Sequence, residues 1–343
     1  MLFYLLFLSL ICFILWGNKL QQSKKNTLAI WCIWFVSAFR WDIGYDYFAY
    51  YQMIYPVLDD FSISRFEPIN QLIFYLAYYL HIPSLAFFIY STLITILISA
   101  GIMKRSHYIA FSLLIYVCLC YTFSFGVIRQ ALAVSIIFYS YRFLEEKRNK
   151  YFFLCLFIAV LCHYSAIVGI FVFWAYRKAT VVSVLIVSMA VLIGQKAIFY
   201  LLQTYELYEN YIDVLDEMPG GTYMLYFYIL LFLGTCFLFY FKKKKAVDVD
   251  KRLFFITMFS FIFPFVVAGQ LGPRMSMYFL VFYVYLIPDI LKYYSPNFRF
   301  LIALMFCTYL LLEIYVDSKN PTRSAFSPYK FIFFIDEPTF RIR

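Results

Sequence analysis

Long apolar runs recur from one end of the chain to the other, separated by short segments that carry nearly all of the charge. Runs such as 84–103, 223–241 and 300–316 approach the length of about 20 residues that a helix needs to cross a bilayer. Of the 343 residues, 64% are hydrophobic and only 14% are charged, which is too few to cover a soluble globule. The sequence therefore predicts an all-α, polytopic integral membrane protein and excludes a disordered chain or a soluble enzyme.

The basic residues predict which ends of the helices face the cytoplasm, because cytoplasmic loops are rich in Lys and Arg. The most basic segments include Lys104–Arg105 and the loop 242–252. Assigning such segments to the cytoplasm places 19 of the 29 basic residues and 5 of the 19 acidic residues there. The cytoplasmic segments then carry a net charge of +14 and the outer segments −4. The overall +10 is thus a topology signal, and we expect no nucleic-acid partner.

The same assignment gives one transmembrane domain over 1–343, with roughly 10–12 helices and both termini on the outer side. The outer segments are the loop 40–67, the acidic loop 195–222 and the tail 317–343. The apolar start has no preceding positive charge and no small-residue cleavage site, so we expect a retained first helix.

Two apolar segments do not fit a simple alternation of crossings. Residues 68–82 lie between two prolines, and counting them as a crossing would move Lys104–Arg105 to the outer side. Residues 151–176 have basic residues at both ends, although one crossing cannot have both ends in the cytoplasm. We therefore expect a re-entrant or interfacial helix over 68–82. Over 151–176 we expect either two half-helices of a re-entrant segment or two short, deeply bent spans, which meet near His163. Non-helical backbone at membrane depth is tolerated only inside protein or beside a cavity.

No metal or cofactor is expected. The eight cysteines lie in apolar runs without CxxC spacing, and the three histidines have no acidic pair at ligand spacing nearby. Core-filling is the more common use of such cysteines.

Charged residues within or beside apolar runs are the candidates for function, because ionisable groups are costly at membrane depth. Three arginines are predicted to bind substrate: Arg40, Arg129 and Arg274. Three residues are predicted to act as acid or base: Asp46, Glu67 and His163, with His163 the first choice of base and Asp46 the second. Gln130 and the tyrosines Tyr45, Tyr47 and Tyr329 are further candidates for substrate contact.

Each candidate also has a structural alternative. Arg40 could anchor its helix at the interface, and Gln130 could bond a neighbouring helix. His163 could be a buried neutral ring bonded to a carbonyl, and Glu67 could simply begin a helix before Pro68. Arg129 is the hardest to explain in this way, because it lies between the apolar runs GVI and ALAVSII.

Several arginines with carboxylates and a histidine suit one class of substrate. The arginine fork binds phosphate bidentately and keeps its charge, and several cations would stabilise diphosphate as a leaving group. A carboxylate or a neutral His accepts the proton of an attacking hydroxyl. These residues predict a lipid-diphosphate sugar as substrate, with its lipid between helices and its headgroup on the outer side.

Six blocks of sequence resemble the EpsG family of Wzy-type polysaccharide polymerases, in the order that the family has them. They are RWDIGYDYFAYY, FEPINQLIFYL, FSFGVIRQALAVSI, AVLCHYSAIVGI, GPRMSMYFLVFYVYLIP and SPYKF. The resemblance implies a glycosyltransferase of the bacterial plasma membrane that polymerises undecaprenyl-diphosphate-linked oligosaccharide repeat units into O-antigen, capsule or exopolysaccharide. It implies Arg40, Arg129 and Arg274 as the residues that handle the diphosphate. The implied partners are the lipid-linked donor and acceptor, membrane lipids and a chain-length regulator protein.

Two other functions use a similar set of residues. A flippase for lipid-linked sugar would need charges along the whole cavity and a counterpart site on the cytoplasmic side. A ligase that moves polymer onto a lipid core or a wall would share the donor and differ in its acceptor. An acyltransferase of surface sugars would need a base facing an acyl donor, which these motifs do not provide.

Overall fold

The computed structural model is helical throughout the part of the chain that it describes. That part comprises residues 1–54, 63, 66–178, 180, 182–184, 186–187, 189–190, 194, 221–241, 251–266, 271–319 and 324–335. The predicted outer loop 40–67 is therefore described only in part. The segments 195–220 and 242–250, which hold most of the predicted acidic and basic loops, lie outside the described residues.

The structure describes ten helices between residues 1 and 178. They are α1 (Leu2–Cys12, continued by a π-helical turn, Phe13–Gly17), α2 (Gln22–Ala38), α3 (Tyr47–Ile54), α4 (Pro68–Tyr79), α5 (Pro83–Arg105), α6 (Ile109–Leu119), α7 (Tyr121–Gly126), α8 (Ile128–Glu145), α9 (Asn149–Cys162) and α10 (Ile170–Lys178). A 3₁₀ turn, Tyr164–Gly169, joins the last two.

The described chain continues with five further helices and ends in a tail. The helices are α11 (Gly221–Phe241), α12 (Lys251–Val266), α13 (Leu271–Leu280), α14 (Tyr283–Leu291) and α15 (Pro296–Ser318), followed by a 3₁₀ turn, Ile332–Phe334.

Two of these helices are long and apolar enough to cross a membrane by themselves, namely α5 and α15. The pair formed by α13 and α14 meets the same test together, although it is bent by 47° at its break. Shorter apolar helices accompany them, so the protein is an all-helical membrane protein. The predicted number of crossings and the sidedness of the termini stay predictions.

The two segments that the charge pattern singled out are both short helical pieces. The helix α4 has 12 residues and is therefore about 18 Å long, against about 30 Å for the apolar core of a bilayer. The helix α9 ends at Cys162, and a 3₁₀ turn follows His163. The break near His163 is thus present, while the re-entrant placement of both segments stays a prediction.

The sequence did not predict that the helix over 108–125 is interrupted at Cys120. The apolar run 108–125 is divided into α6 and α7 by Cys120, which has φ −123° and ψ −13°. The helix α6 is apolar on all sides and buried from Ser112 onward, so hydrophobic periodicity gives no sign of where it ends.

The tail packs over the start of the predicted outer loop, and backbone hydrogen bonds hold this part of the loop in place. Trp41 donates its N–H to Lys330 O (2.9 Å) and Ile332 donates to Phe39 O (3.0 Å). Gly44 donates to Ala325 O (2.8 Å), at a φ of +110° that favours glycine. A Cβ at that position would lie 1.9 Å from Phe125 O, so the loop, the tail and the end of α7 meet there.

Candidate functional site

The centre of the candidate site is an ion pair between Arg129 and Glu67. Arg129 is the second residue of α8, and Glu67 immediately precedes Pro68 at the start of α4. Arg129 Nη1 lies 2.5 Å from Glu67 Oε2. The Glu67 side chain is buried, whereas 22% of the Arg129 side chain is exposed. The starts of two helices, which carry partial positive charge, thus meet at this pair.

Asn70 holds Glu67 in place and connects it with the end of α9. Its Nδ2 donates to Glu67 Oε2 (2.9 Å) and to Cys162 O (2.6 Å). Its Oδ1 accepts from Tyr90 OH (2.6 Å), so the amide orientation follows from its partners. All polar atoms of the buried Asn70 side chain are therefore used, and the residue before His163 is tied to Glu67.

Tyr50 connects Arg129 with Asp46. Arg129 Nε donates to Tyr50 OH (2.8 Å), and this hydroxyl donates to Asp46 Oδ2 (3.3 Å). Burial raises the pKa of the Tyr50 phenol and the neighbouring Asp46 carboxylate raises it further, so the hydroxyl keeps its proton. Asp46 is half-buried, and its N–H donates to Gly126 O (3.3 Å).

His163 also belongs to the site, and it contacts Ser165. Its Nδ1 lies 3.3 Å from the backbone N of Ser165 and 2.9 Å from Ser165 Oγ. Ser165 Oγ is in turn 3.0 Å from Tyr278 OH on α13. The charges of Glu67, Arg129 and Arg274 all act on the His163 ring, which places the histidine within their shared field.

Gln130 and Arg274 lie beside this group. Gln130 Nε2 donates to the backbone carbonyl of Arg274 (2.7 Å), which fixes α13 against the start of α8. The Arg274 side chain is partly exposed. The structure thus brings together six of the residues predicted from the sequence: Asp46, Glu67, Arg129, Gln130, His163 and Arg274.

Arg40 is placed apart from this group. It is 1% exposed and donates to Ser37 O (2.5 Å), Ser91 Oγ (2.8 Å) and Ile43 O (3.3 Å). Its guanidinium carbon lies 5.0 Å from the centroid of the Phe125 ring. These contacts join the end of α2 to α5 and to the outer loop, so the observed arrangement is that of a buried brace.

The three predicted sugar-contact tyrosines differ in exposure. Tyr47 is buried, stacks on Phe87 with ring centroids 3.9 Å apart and donates to Arg40 O (3.4 Å). Tyr329 is half-buried, and its hydroxyl donates to Val36 O. Tyr45 is 46% exposed and donates to Asp317 Oδ1 (2.9 Å), so its side chain is the most exposed of the three.

Sequence reasoning missed the residues that hold the charged groups in position. They are Tyr50, Asn70, Tyr90 and Tyr278. A local signal existed for two of them, because Asn70 follows Glu67 by three residues and Tyr50 follows Asp46 by four, which are the spacings of helical neighbours.

A metal centre would need several donor side chains together. Among the described residues, no group of three or more His, Cys, Asp or Glu side chains is arranged to hold a metal ion.

Comparison with known proteins gives one result that covers most of the chain. The sequence profile of the EpsG family matches residues 26–331, a range that contains every residue of the site described above. The chain belongs to the EpsG family. No curated protein and no solved structure matches it. Membership of the EpsG family, together with the apolar helices, is consistent with a polysaccharide polymerase in a membrane.

Proposed function

We propose that this EpsG-family protein is a membrane glycosyltransferase that polymerises lipid-diphosphate-linked oligosaccharide repeat units into a surface polysaccharide. The observation that carries the proposal is the convergence of Arg129, Arg274, Glu67, Asp46 and His163 at one end of the helices. From the charge pattern of the loops we assign this end to the outer face of the bacterial plasma membrane, where undecaprenyl-diphosphate-linked units would be both donor and acceptor.

Arg129 is positioned to hold the donor diphosphate. Glu67 and Tyr50 engage its Nη1 and Nε, while its Nη2 has no hydrogen-bond partner among the described residues. The ion pair thus fixes the guanidinium plane and leaves one nitrogen for an incoming anion. Arg274, partly exposed and acting on the same histidine, is the second cation. Two cations would stabilise the diphosphate as it leaves with the electron pair of the broken anomeric C–O bond.

The proposed reaction also needs a base close to the Arg129–Glu67 ion pair. The acceptor hydroxyl attacks the anomeric carbon of the donor, and its proton passes to a base. Glu67 is committed to Arg129 and Asn70, so it serves to position Arg129. Asp46, half-buried and one hydroxyl away from Arg129, and His163 are the two groups placed to accept the proton.

The other predicted residues take supporting roles in this proposal. The burial of Arg40 favours bracing of the outer loop over direct contact with a diphosphate. Tyr45, with its exposed ring, is the tyrosine best placed to contact a sugar. Tyr47 and Tyr329 fasten the loop and the tail that carry Tyr45.

The flippase alternative requires a second anion site at the opposite end of the helices. At the end of α8 that is distant from Arg129, Glu145 pairs with Arg105, the last residue of α5. Arg105 Nε lies 3.1 Å from Glu145 Oε1, and its Nη1 lies 2.8 Å from Asp289 Oδ2. One arginine with two carboxylates forms a cluster of net negative charge, and such a cluster repels a diphosphate. Among the described residues at this end, Arg105 is therefore not an anion site, which favours an enzyme over a flippase.

The test is reconstitution in liposomes with a lipid-linked repeat unit, followed by separation of the products on a gel. A ladder of products is expected for the natural protein, with loss of at least about a hundredfold in rate for Arg129→Ala. Arg148→Ala is the matched control, because Arg148 is an exposed arginine at the other end of α8. Equal ladders from both variants, or no ladder with the cognate unit, would contradict the proposal. Transfer only to a different lipid acceptor would identify a ligase.

A further inference from the structure

The backbone around His163 restricts which ring nitrogen carries a hydrogen. His163 is the N-cap of the 3₁₀ turn Tyr164–Gly169, and its side chain accepts from the N–H of Ser165. The two nitrogens are 3.3 Å apart. A backbone N–H only donates, so Nδ1 must present its lone pair to it. In the neutral ring the hydrogen therefore sits on Nε2.

The neighbouring hydroxyls form a chain that agrees with this assignment. With Nδ1 as acceptor, Ser165 Oγ donates to it at 2.9 Å. The Ser165 oxygen is then free to accept from Tyr278 OH at 3.0 Å. Each hydroxyl donates once along this chain. A hydrogen on Nδ1 would instead face the N–H of Ser165, and the capping bond would be lost.

We propose that His163 acts in the reaction as a hydrogen-bond donor through Nε2, not as the general base. This inference rests on the proposed function, and it assigns the proton of the attacking hydroxyl to the remaining candidate, Asp46. No proton leaves the histidine in this step. The anomeric C–O bond breaks with its electron pair going to the diphosphate, the new C–O bond forms, and the acceptor proton moves to the Asp46 carboxylate.

The charges around the ring support a donor. Glu67, Arg129 and Arg274 all act on His163, and two cations against one carboxylate leave the space next to it with a net positive charge that attracts an anion such as the diphosphate of the lipid-linked substrate. An N–H directed into such a space is attracted to the anion, whereas a lone pair directed there would be repelled. Nε2 has no hydrogen-bond partner among the described residues, which leaves it for the substrate.

The assignment has a direct test that does not depend on activity. The protein has three histidines, so ¹⁵N-histidine labelling of the full chain in nanodiscs gives few signals. The signals that disappear in His163→Asn belong to His163. We expect Nδ1 without a hydrogen and Nε2 with one. A His163 signal pair with the hydrogen on Nδ1 would overturn the proposal, whether or not the protein polymerises sugar.

Two amide variants separate the roles in the product-ladder assay. Gln at position 163 places an N–H near the site of Nε2, whereas Asn places its carbonyl near Nδ1 and keeps the cap. We expect His163→Gln to retain at least about ten times the activity of His163→Asn, with both variants folded by their melting temperatures. Activity of His163→Asn equal to or above that of His163→Gln would overturn the donor role. If the natural protein makes no ladder, the proposed function fails, and the NMR result still decides the tautomer.

Discussion

Arg129 and Glu67, which are 62 positions apart in the sequence, form an ion pair of 2.5 Å that joins the start of α8 to the start of α4. The pair is not symmetrical. Glu67 is buried and receives a second hydrogen bond from Asn70, whereas Arg129 keeps part of its surface exposed. A buried carboxylate thus holds a partly exposed cation, which is the arrangement expected when the cation is the group that contacts the ligand.

Removal of either member of this pair should destabilise the protein, and removal of both should cost less than the sum. Glu67→Ala leaves Arg129 without its carboxylate, and breaking a buried pair from one side costs about 3–5 kcal/mol, less here because Arg129 is partly exposed. A double-mutant cycle with Arg129→Ala, measured by thermal unfolding in detergent, should give a coupling energy of about 1–3 kcal/mol.

A conservative variant of Arg129 distinguishes its role in the reaction from its role in stability. Arg129→Lys keeps the charge and loses the planar fork, so we expect a folded protein with at least about tenfold lower polymerisation. Additive effects of the two alanine substitutions on stability would contradict the ion pair.

Asn70 should be intolerant even of a nearly isosteric change. Asn70→Asp replaces the donor that serves Glu67 and Cys162 O by an acceptor, and each buried polar group left unsatisfied costs about 1–3 kcal/mol. Tyr90→Phe is the control, because it removes only the bond to Asn70 Oδ1 and should cost about 1 kcal/mol. Comparison of the melting temperatures of the two variants tests the network, and equal losses would refute the central position of Asn70.

The sequence identified the charged residues of the site because charge in an apolar context is expensive and therefore visible. Arg129, Glu67 and His163 stand out from their neighbours for this reason. The residues that hold these charged groups in position do not stand out in this way. Tyr50 is one of 34 tyrosines, and Asn70 is neutral within an apolar segment, so composition gives neither of them a special status.

The sequence also could not predict which of the charged residues lie close together in the fold. Arg40 has the same kind of context as Arg129, and both were predicted to bind substrate. The structure separates them because Arg40 lies at the end of a helix that packs on α5, where Ser91 accepts its hydrogen bond. The broken helix at His163 was predictable, since basic residues at both ends of 151–176 are incompatible with one crossing. The break at Cys120 lies in an uncharged, apolar run, so no charged residue marks it in the sequence.

Gly44 should be essential for the outer loop. Alanine at this position would have φ +110° and a Cβ 1.9 Å from Phe125 O, so we expect Gly44→Ala to cost at least about 2 kcal/mol and to release the tail. Limited proteolysis and thermal unfolding would report this. Gly126→Ala is the matched control, since its Cβ would meet only Tyr45 Cδ2 at 3.4 Å. Similar protection of the tail in both variants would contradict the prediction.

The Arg105 cluster at the other end of α8 should be structural. Asp289 is nearly buried, so Asp289→Ala should cost about 3 kcal/mol, while Glu145→Ala should cost under about 1 kcal/mol because a third of its side chain is exposed. Unfolding in detergent measures both. We expect the specific activity of the folded fraction to be unchanged, and a selective loss of activity at normal stability would indicate a substrate site at this end.

Chemical labelling in intact cells tests the side of the membrane on which the site lies. In a variant without the eight native cysteines, Tyr75→Cys on α4 should react with a membrane-impermeant maleimide added from outside, because its partly exposed position belongs to the segment predicted to be re-entrant. Lys147→Cys, in the turn between α8 and α9, should react only after the membrane is permeabilised. Reaction of Lys147→Cys alone from outside would reverse the predicted sidedness, and reaction of both or of neither from outside would contradict it. Since Glu67 begins the same helix as Tyr75, labelling of Tyr75→Cys from outside would place the Arg129–Glu67 pair within reach of a headgroup in the outer leaflet.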